Sequence, residues 1–90
     1  MRTWTIYTED TNREGIRRVL DLTVGLEGYT LLYGQGFWVG NGQTYKENSL
    51  LIVVLTNDGE MIRDIARRIK EENHQESVMI TWAKTERELI

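Results

Sequence analysis

The feature that most constrains the fold is an unbroken apolar run, Leu50–Leu55, at the end of a ribbon of strand-forming residues. The run is long enough for one buried strand and too short to span a membrane. Ahead of it, the segments Tyr29–Tyr33 and Phe37–Val39 are rich in aromatic and β-branched residues, and Gly34 and Gly36 separate them. Because glycine inside a strand often marks a bulge or a bend, the pattern predicts a first strand bent at these glycines.

The ribbon reverses at Asn41-Gly42, a residue pair favoured in tight hairpin turns. The return strand is predicted over Asn48–Leu55, with a start as early as Thr44. A further strand is predicted near each end of the chain, because Arg2–Glu9 and the segment after Glu76 both alternate with a period of two. The residues predicted to share one face are Trp4, Ile6 and Thr8 in the first of these strands and Val78, Ile80 and Trp82 in the last.

Helices are predicted in the connections on either side of the ribbon, and each begins with a capping pattern. Thr11 and Glu14 match a capping box ahead of the first helix, and Asn57 with Glu60 match one ahead of the second. The residues predicted to form the buried faces then recur at helical spacing, and all but Thr23 are apolar. These residues are Ile16, Val19, Leu20 and Thr23 in the first helix, and Met61, Ile62, Ile65, Ala66 and Ile69 in the second.

The predicted order of elements is therefore βαββαβ, within a single domain of residues 1–90. This order predicts an α+β, ferredoxin-like fold: a four-stranded antiparallel sheet with two helices on one face. Right-handed connections place the first and third strands in the middle of the sheet. The apolar character of Leu50–Leu55 agrees with a central position.

The sheet face turned away from the helices is predicted to be unusually apolar. In a two-layer domain this face should carry polar residues, but Leu50–Leu55 is apolar on both sides. Tyr7 and Met79 add to the same face, and Trp82 is a further candidate. A second copy of the chain is the simplest cover, so we expect a homo-oligomer that associates through this face.

Composition excludes several classes of protein. The chain has 90 residues with no cysteine and no proline, so disulfides, thiolate metal sites and cysteine nucleophiles are excluded. Its net charge of −3 argues against a general nucleic-acid binder, but a small anionic ligand needs only a few local cations. No apolar segment predicts a membrane span or a signal peptide, and the absence of cysteine fits a cytoplasmic protein.

No motif predicts catalysis, a metal site or a cofactor. His74 is the only histidine and is interpreted as a solvated residue near a helix end. The glycines at positions 34, 36, 40 and 42 match neither a Rossmann fingerprint nor a P-loop, because the spacing differs and no helix follows. They serve either a bulge and a turn or a backbone surface for a ligand. A carboxylate site assembled in space from Asp10, Glu27, Glu47 or Glu76 stays open.

Several short segments, spread over most of the chain, resemble segments of known proteins. Tyr33-Gly34-Gln35-Gly36-Phe37-Trp38, the apolar third strand and Gln75-Glu76-Ser77-Val78 resemble segments of small phage and bacterial proteins of unknown function. More distantly, Gly34-Gln35-Gly36-Phe37 is similar to the Gly-Phe-Gly turn of the PII-like superfamily. This resemblance implies trimers that bind nucleotides in clefts between subunits. The segment from Gly40 to Asn48 is short for a PII T-loop, and the family's glycine-rich phosphate loop is absent.

Together these observations predict a binding protein without enzymatic activity. We expect an oligomer that holds a small anionic, nucleotide-like ligand between subunits, as a phage protein sequestering a host signalling nucleotide would. One alternative is a protein-binding inhibitor that uses the aromatic ribbon or its edge strand. A second is a small hydrolase that depends on carboxylates or a metal. The predicted ligand-binding residues combine aromatic rings, glycine N–H groups and cations: Tyr33, Gly34, Gly36, Trp38, Tyr45, Lys46, Arg17 and Arg18.

Overall fold

The computed structural model describes residues 1–90 and has the predicted order of elements. The elements are β1 (Arg2–Glu9), α1 (Arg13–Asp21), β2 (Thr30–Gly40), β3 (Gln43–Thr56), α2 (Gly59–Glu72) and β4 (Met79–Lys84). The strands form one antiparallel sheet in the order β2-β3-β1-β4. The first and third strands are therefore central, and the ferredoxin-like prediction is confirmed.

The hydrophobic core lies between one face of the sheet and both helices. Alternation in β1 turns Trp4 and Ile6 into this layer, and β3 places Leu50, Ile52 and Val54 beside them. Full burial of each large apolar side chain stabilises the fold by about 1.5–3 kcal/mol. Neither helix is long and apolar enough to cross a membrane. The helices contribute Ile16, Val19, Leu20, Ile62, Ile65, Ala66 and Ile69 to the core.

Both helices begin one residue later than the capping patterns predicted. The side chain of Asn12 accepts a hydrogen bond from the Gly15 N–H at 3.0 Å, so Thr11 as the N-cap is wrong. Asn12 also donates to Glu72 at 3.5 Å, a contact with α2 that the local sequence does not reveal.

At the second helix the N-cap is Asp58, so the prediction of Asn57 is wrong. Its side chain accepts from the Met61 N–H at 3.0 Å. The Asp58 N–H donates to the Thr56 hydroxyl at 3.1 Å, which fixes the chain between β3 and α2 so that Asp58 takes the capping position.

The β2–β3 hairpin is regular along its whole length. Its pairing runs without interruption from Thr30 opposite Val53 to Gly40 opposite Gln43, so the predicted bulge at Gly34 and Gly36 is wrong. The turn is confirmed, because the residues at 41 and 42 both have left-handed φ values of 51° and 73°. The continuous pairing keeps the two glycines on one face of the sheet, where they shape a cleft.

The sheet face opposite the helices, the open face, is apolar at its centre. Leu51, Val53 and Leu55 of β3 lie on it beside Tyr7, and Leu55 is 43% exposed. Trp82 does not lie there, so that prediction is wrong. It pairs with Trp4, which points into the core, and the two rings stack with centroids 5.0 Å apart.

Candidate functional site

A cleft of about 950 Å³ lies on the open face, where β1 ends, β4 begins and the β2–β3 hairpin extends beyond both. This open-face cleft has a floor of cross-strand rows set by the pairing of the strands. The row nearest the centre of the sheet is apolar, and the rows beyond it become polar. The floor contains Leu51, Tyr7 and Met79 in the apolar row, Gly34, Ser49 and Glu9 in the next, and Gly36 with Glu47 in the last.

Two structures form the walls of the open-face cleft. On one side the hairpin contributes Trp38, which is 53% exposed, and Phe37, whose side chain is turned to the other face of the sheet. On the other side stands the segment between α2 and β4, which contributes His74–Ser77. Exposed aromatic rings beside a cleft are suited to stacking on a flat ligand.

The charge of the open-face cleft has one sign. Glu9, Glu47 and Glu76 line it, and no lysine or arginine does. The three carboxylates do not converge into a group that could hold a metal ion. Since like charges repel most strongly where water is partly excluded, this lining favours a cationic or neutral ligand over a polyphosphate.

The two glycines of the floor have different surroundings. A Cβ atom at Gly36 would lie 2.8 Å from the Ser49 hydroxyl oxygen and 3.6 Å from Trp38 Nε1. A Cβ atom at Gly34 would meet nothing within 4 Å. Gly36 therefore lets neighbouring side chains approach the backbone, whereas Gly34 keeps space open within the cleft.

The wall at His74–Ser77 begins with an uncommon backbone conformation. His74 has φ of 52°, in the left-handed region that glycine usually occupies. Its N–H donates to Glu71 O at 3.2 Å and the Gln75 N–H donates to Lys70 O at 3.0 Å, which together form a Schellman motif. His74 is thus a helix-ending residue as well as a residue of the cleft.

A partly buried polar network joins this wall to the end of β1. Asn73 Nδ2 donates to Thr8 Oγ1 at 2.9 Å and to Glu9 O at 3.1 Å. The Thr8 hydroxyl, in a residue only 4% exposed, donates to Gln75 Oε1, which also accepts from the Glu9 N–H at 3.3 Å. Gln75 Nε2 donates onward to Ser77 O at 3.3 Å. We name the side chains of Asn73, Thr8 and Gln75 the amide clamp.

The structure divides the predicted ligand-binding residues between the two sides of the sheet. Gly34, Gly36 and Trp38 line the open-face cleft. Tyr45 pairs with Trp38 across the hairpin on the same face, just outside the lining, whereas Lys46 pairs with Phe37 on the other face.

The remaining predicted residues, Tyr33, Arg17 and Arg18, lie together in a separate groove of about 560 Å³ beside α1. Tyr33 lies under the Arg13 guanidinium, whose carbon is 4.0 Å from the ring centroid. Of the three arginines that line this groove, Arg13 has an ion-pair partner. Arg13 donates to both carboxylate oxygens of Asp10, at 2.9 and 2.7 Å, and this holds the pKa of Asp10 below its usual value.

Asp21, which also lines this groove, accepts a hydrogen bond from the Tyr29 hydroxyl at 2.6 Å. That hydrogen bond raises the pKa of Tyr29 above its ordinary value.

Several residues of the open-face cleft were not singled out from the sequence. Glu9 was overlooked, although the alternation of β1 places it on the same face as Tyr7. Glu47 and Glu76 were among the candidates for a carboxylate site that the sequence left open, and both line the cleft. Asp10, another of these candidates, pairs with Arg13 instead. The amide clamp had no sequence signal, because it joins Thr8 to two residues that lie 65 and 67 positions further along the chain.

No protein-family model matches the sequence, and no characterised protein has significant sequence similarity to it. Solved structures do match its fold. The CutA protein from Archaeoglobus fulgidus is 17% identical with a TM-score of 0.70, over 99% of this chain and 88% of that one. The B. subtilis GlnK–ATP complex is 13% identical with a TM-score of 0.68, over 91% and 80%.

A phage SAM lyase in complex with S-methyl-5′-thioadenosine also matches, at 16% identity and a TM-score of 0.65, over 92% of this chain and 80% of that one. The chain therefore has the PII-like form of the ferredoxin-like fold, as the sequence resemblance implied. At these identities the similarity establishes the fold alone. The similar structures thus include a lyase and an ATP complex.

Proposed function

We propose that this protein binds S-adenosylmethionine, or a closely related sulfonium nucleoside, in the open-face cleft and cleaves it as a lyase. The observation that carries the proposal is the chemistry of the cleft: the exposed ring of Trp38 and three carboxylates, with no lysine or arginine. The fold shared with a phage SAM lyase supports the choice of ligand.

The sequence predicted an anionic ligand, whereas the lining of the cleft favours a cationic one. The cations predicted to bind phosphate, Arg17, Arg18 and Lys46, do not line the open-face cleft. A sulfonium nucleoside is positively charged at sulfur and carries no phosphate, so it suits a cleft lined by Glu9, Glu47 and Glu76. Carboxylates also accept hydrogen bonds from ribose hydroxyls, as in dinucleotide sites.

The aromatic wall provides the complementary contact. Trp38 can stack on an adenine ring, a contact worth about 1–3 kcal/mol per base. Gly34 leaves room beside it, because a Cβ atom there would meet nothing within 4 Å. The open-face cleft can therefore bind the flat base on its hairpin side and the polar ribose and sulfonium near its carboxylates.

A second copy of the chain completes this proposal. The apolar centre of the open face adjoins the cleft through Leu51, Tyr7 and Met79, which belong to both. A copy that covers this centre would also close the cleft from solvent. The predicted homo-oligomer would then hold the ligand between subunits.

The cleavage needs neither metal nor water. The bond between the sulfonium sulfur and the four-carbon amino acid chain breaks, and its electron pair stays on sulfur, which becomes the neutral thioether of methylthioadenosine. Either a cleft carboxylate takes a proton from the carbon next to the broken bond as a carbon–carbon double bond forms, or the carboxylate of the amino acid part attacks the carbon that leaves sulfur and closes a lactone ring. Because the sulfonium charge disappears as the bond breaks, exclusion of water by a second copy favours the reaction.

The test is incubation with S-adenosylmethionine in H₂¹⁸O, with products followed by mass spectrometry. We expect methylthioadenosine together with an unlabelled four-carbon product. Glu76→Gln removes one charge of the cleft, and we expect a loss of roughly tenfold or more in kcat/KM, as for a hydrogen bond to a charged group. Glu27→Gln, outside the cleft, is the matched control. Absence of both binding and turnover would refute the proposal, and a four-carbon product that carries ¹⁸O in its γ-hydroxyl group would indicate a hydrolase.

A second candidate is the holding role expected from the sequence, supported by the fold shared with the GlnK–ATP complex. A phage protein in the host cytoplasm would then deplete a nucleoside ligand by sequestering it. Saturable binding with the ligand recovered intact would support this function over the lyase.

A further inference from the structure

We propose that Asn73 is a positioning residue, and that the amide clamp presets the wall His74–Ser77 for the ligand before the ligand arrives. Asn73 does not line the open-face cleft, but its Nδ2 atom lies within hydrogen-bond distance of Thr8, Glu9 and Gln75. The role of the preset wall rests on the proposed nucleoside function, whereas the presetting itself can be tested without a ligand.

The position of this wall explains why it needs the clamp. The residues between α2 and β4 belong to no helix or strand, and the pairing of β4 with β1 begins only at Met79. Glu76 and Ser77 are exposed and line the cleft. Without a tether, ordering this segment on binding would cost conformational entropy and weaken the affinity.

The hydrogen bonds of the clamp run in one consistent direction. Asn73 donates to Thr8, Thr8 donates to Gln75, and Gln75 donates to the backbone of Ser77. Every step thus matches a donor with an acceptor, and the orientation of the Asn73 amide follows from the three acceptors around Nδ2. The far end of the chain reaches the residue next to Glu76, so the clamp holds the backbone on both sides of that carboxylate.

The left-handed backbone of His74 is a second sign of a preset wall. A non-glycine residue in this region carries a cost that persists only when its surroundings fix the conformation. The Schellman bonds fix it on the helix side, and the clamp fixes it on the side of β1. The wall is therefore held from both ends in the free protein.

The first arm of the test uses the protein without ligand. Thr8→Val keeps the shape of the side chain and removes the hydroxyl, and Asn73→Ala removes the central donor. We expect amide hydrogen exchange at Glu9 and Gln75 to become about fivefold faster or more in each variant, while exchange in the middle of α2 stays unchanged. Thr5→Val, in the same strand but on the open face, is the matched control. Unchanged exchange at Glu9 and Gln75 in both variants would overturn the proposal.

The second arm measures affinity for methylthioadenosine by calorimetry. We expect each clamp variant to bind about tenfold more weakly with a larger entropic penalty, and the Thr5→Val variant to bind as the wild type does. Wild-type affinity in a variant whose wall has loosened would show that the wall is not preset for this ligand. Failure of the wild-type protein to bind at all would refute the proposed function, while the exchange measurement still decides whether the clamp fixes the wall.

Discussion

Two neighbouring valines of β3 separate the stability of the fold from its self-association. Val54 is 2% exposed in the core, whereas Val53 lies on the open face and is partly exposed. Val54→Lys would forfeit about 1.5–3 kcal/mol of apolar burial and add several kcal/mol for an unpaired buried charge. That total is comparable with the roughly 5–15 kcal/mol that stabilises a typical domain, so we expect the variant to be unfolded.

Val53→Lys has a different expected outcome. In a free subunit the lysine can extend its ammonium group into water, at a cost of about 0.5 kcal/mol or less. Within an assembly that covers the open face, the same charge would be buried. The resulting penalty of several kcal/mol would weaken association by roughly a thousandfold or more, since each 1.4 kcal/mol corresponds to about a factor of ten.

The assay combines light scattering with circular dichroism at the same protein concentrations. We expect the wild type to be an oligomer, Val53→Lys to be a folded monomer, and Val53→Thr, the uncharged control, to remain largely associated. A folded Val53→Lys variant that keeps the wild-type mass would refute the reasoning, because the open face would then not be the surface of association.

Three further predictions concern the cleft and its supports. Gly34→Ala should keep or slightly raise the melting temperature and should weaken nucleoside binding. Gly36→Ala should lower the melting temperature, because its Cβ would lie 2.8 Å from the Ser49 hydroxyl. Equal behaviour of the two variants in both assays would contradict this prediction. His74→Gly should stabilise the protein by about 1 kcal/mol, or roughly 4–8 °C in Tm, by relieving the left-handed backbone, and an unchanged or lower Tm would count against the strain. Asp10 has a lowered pKa because Arg13 donates to it, so its contribution to stability is present above about pH 4 and is lost as the pH falls through its folded pKa. Asp10→Asn should therefore reduce the loss of stability at acidic pH. An unaltered pH dependence would show that the Asp10–Arg13 pair contributes nothing to stability.

The fold could be predicted because its signals are local and repeated. Alternation in β1, the doubly apolar run Leu50–Leu55 and the Asn41-Gly42 turn each specify one geometry. The helix starts were displaced by one residue because a capable cap stands next to the true one. Asn12 has a contact with the distant Glu72, and Asp58 has a local one with Thr56. A bulge at Gly34 and Gly36 could not be distinguished from a regular strand, since a glycine there is equally compatible with both.

The candidate site was only partly accessible from sequence for a related reason. Gly34, Gly36 and Trp38 could be identified because they lie close together in one strand. The carboxylates Glu9 and Glu76 come from opposite ends of the chain, and they meet only after β4 pairs beside β1. Sequence proximity had grouped Tyr33 with Trp38, although the strand turns these two side chains to opposite faces of the sheet.

A crystal structure of the protein with methylthioadenosine tests the central claim most directly. We expect the nucleoside to lie in the open-face cleft, with its base on Trp38 and its ribose hydroxyls within hydrogen-bond distance of a cleft carboxylate. A nucleoside bound instead in the groove beside α1, against Tyr33 and Arg17, would contradict the account, as would crystals without ligand at millimolar concentration.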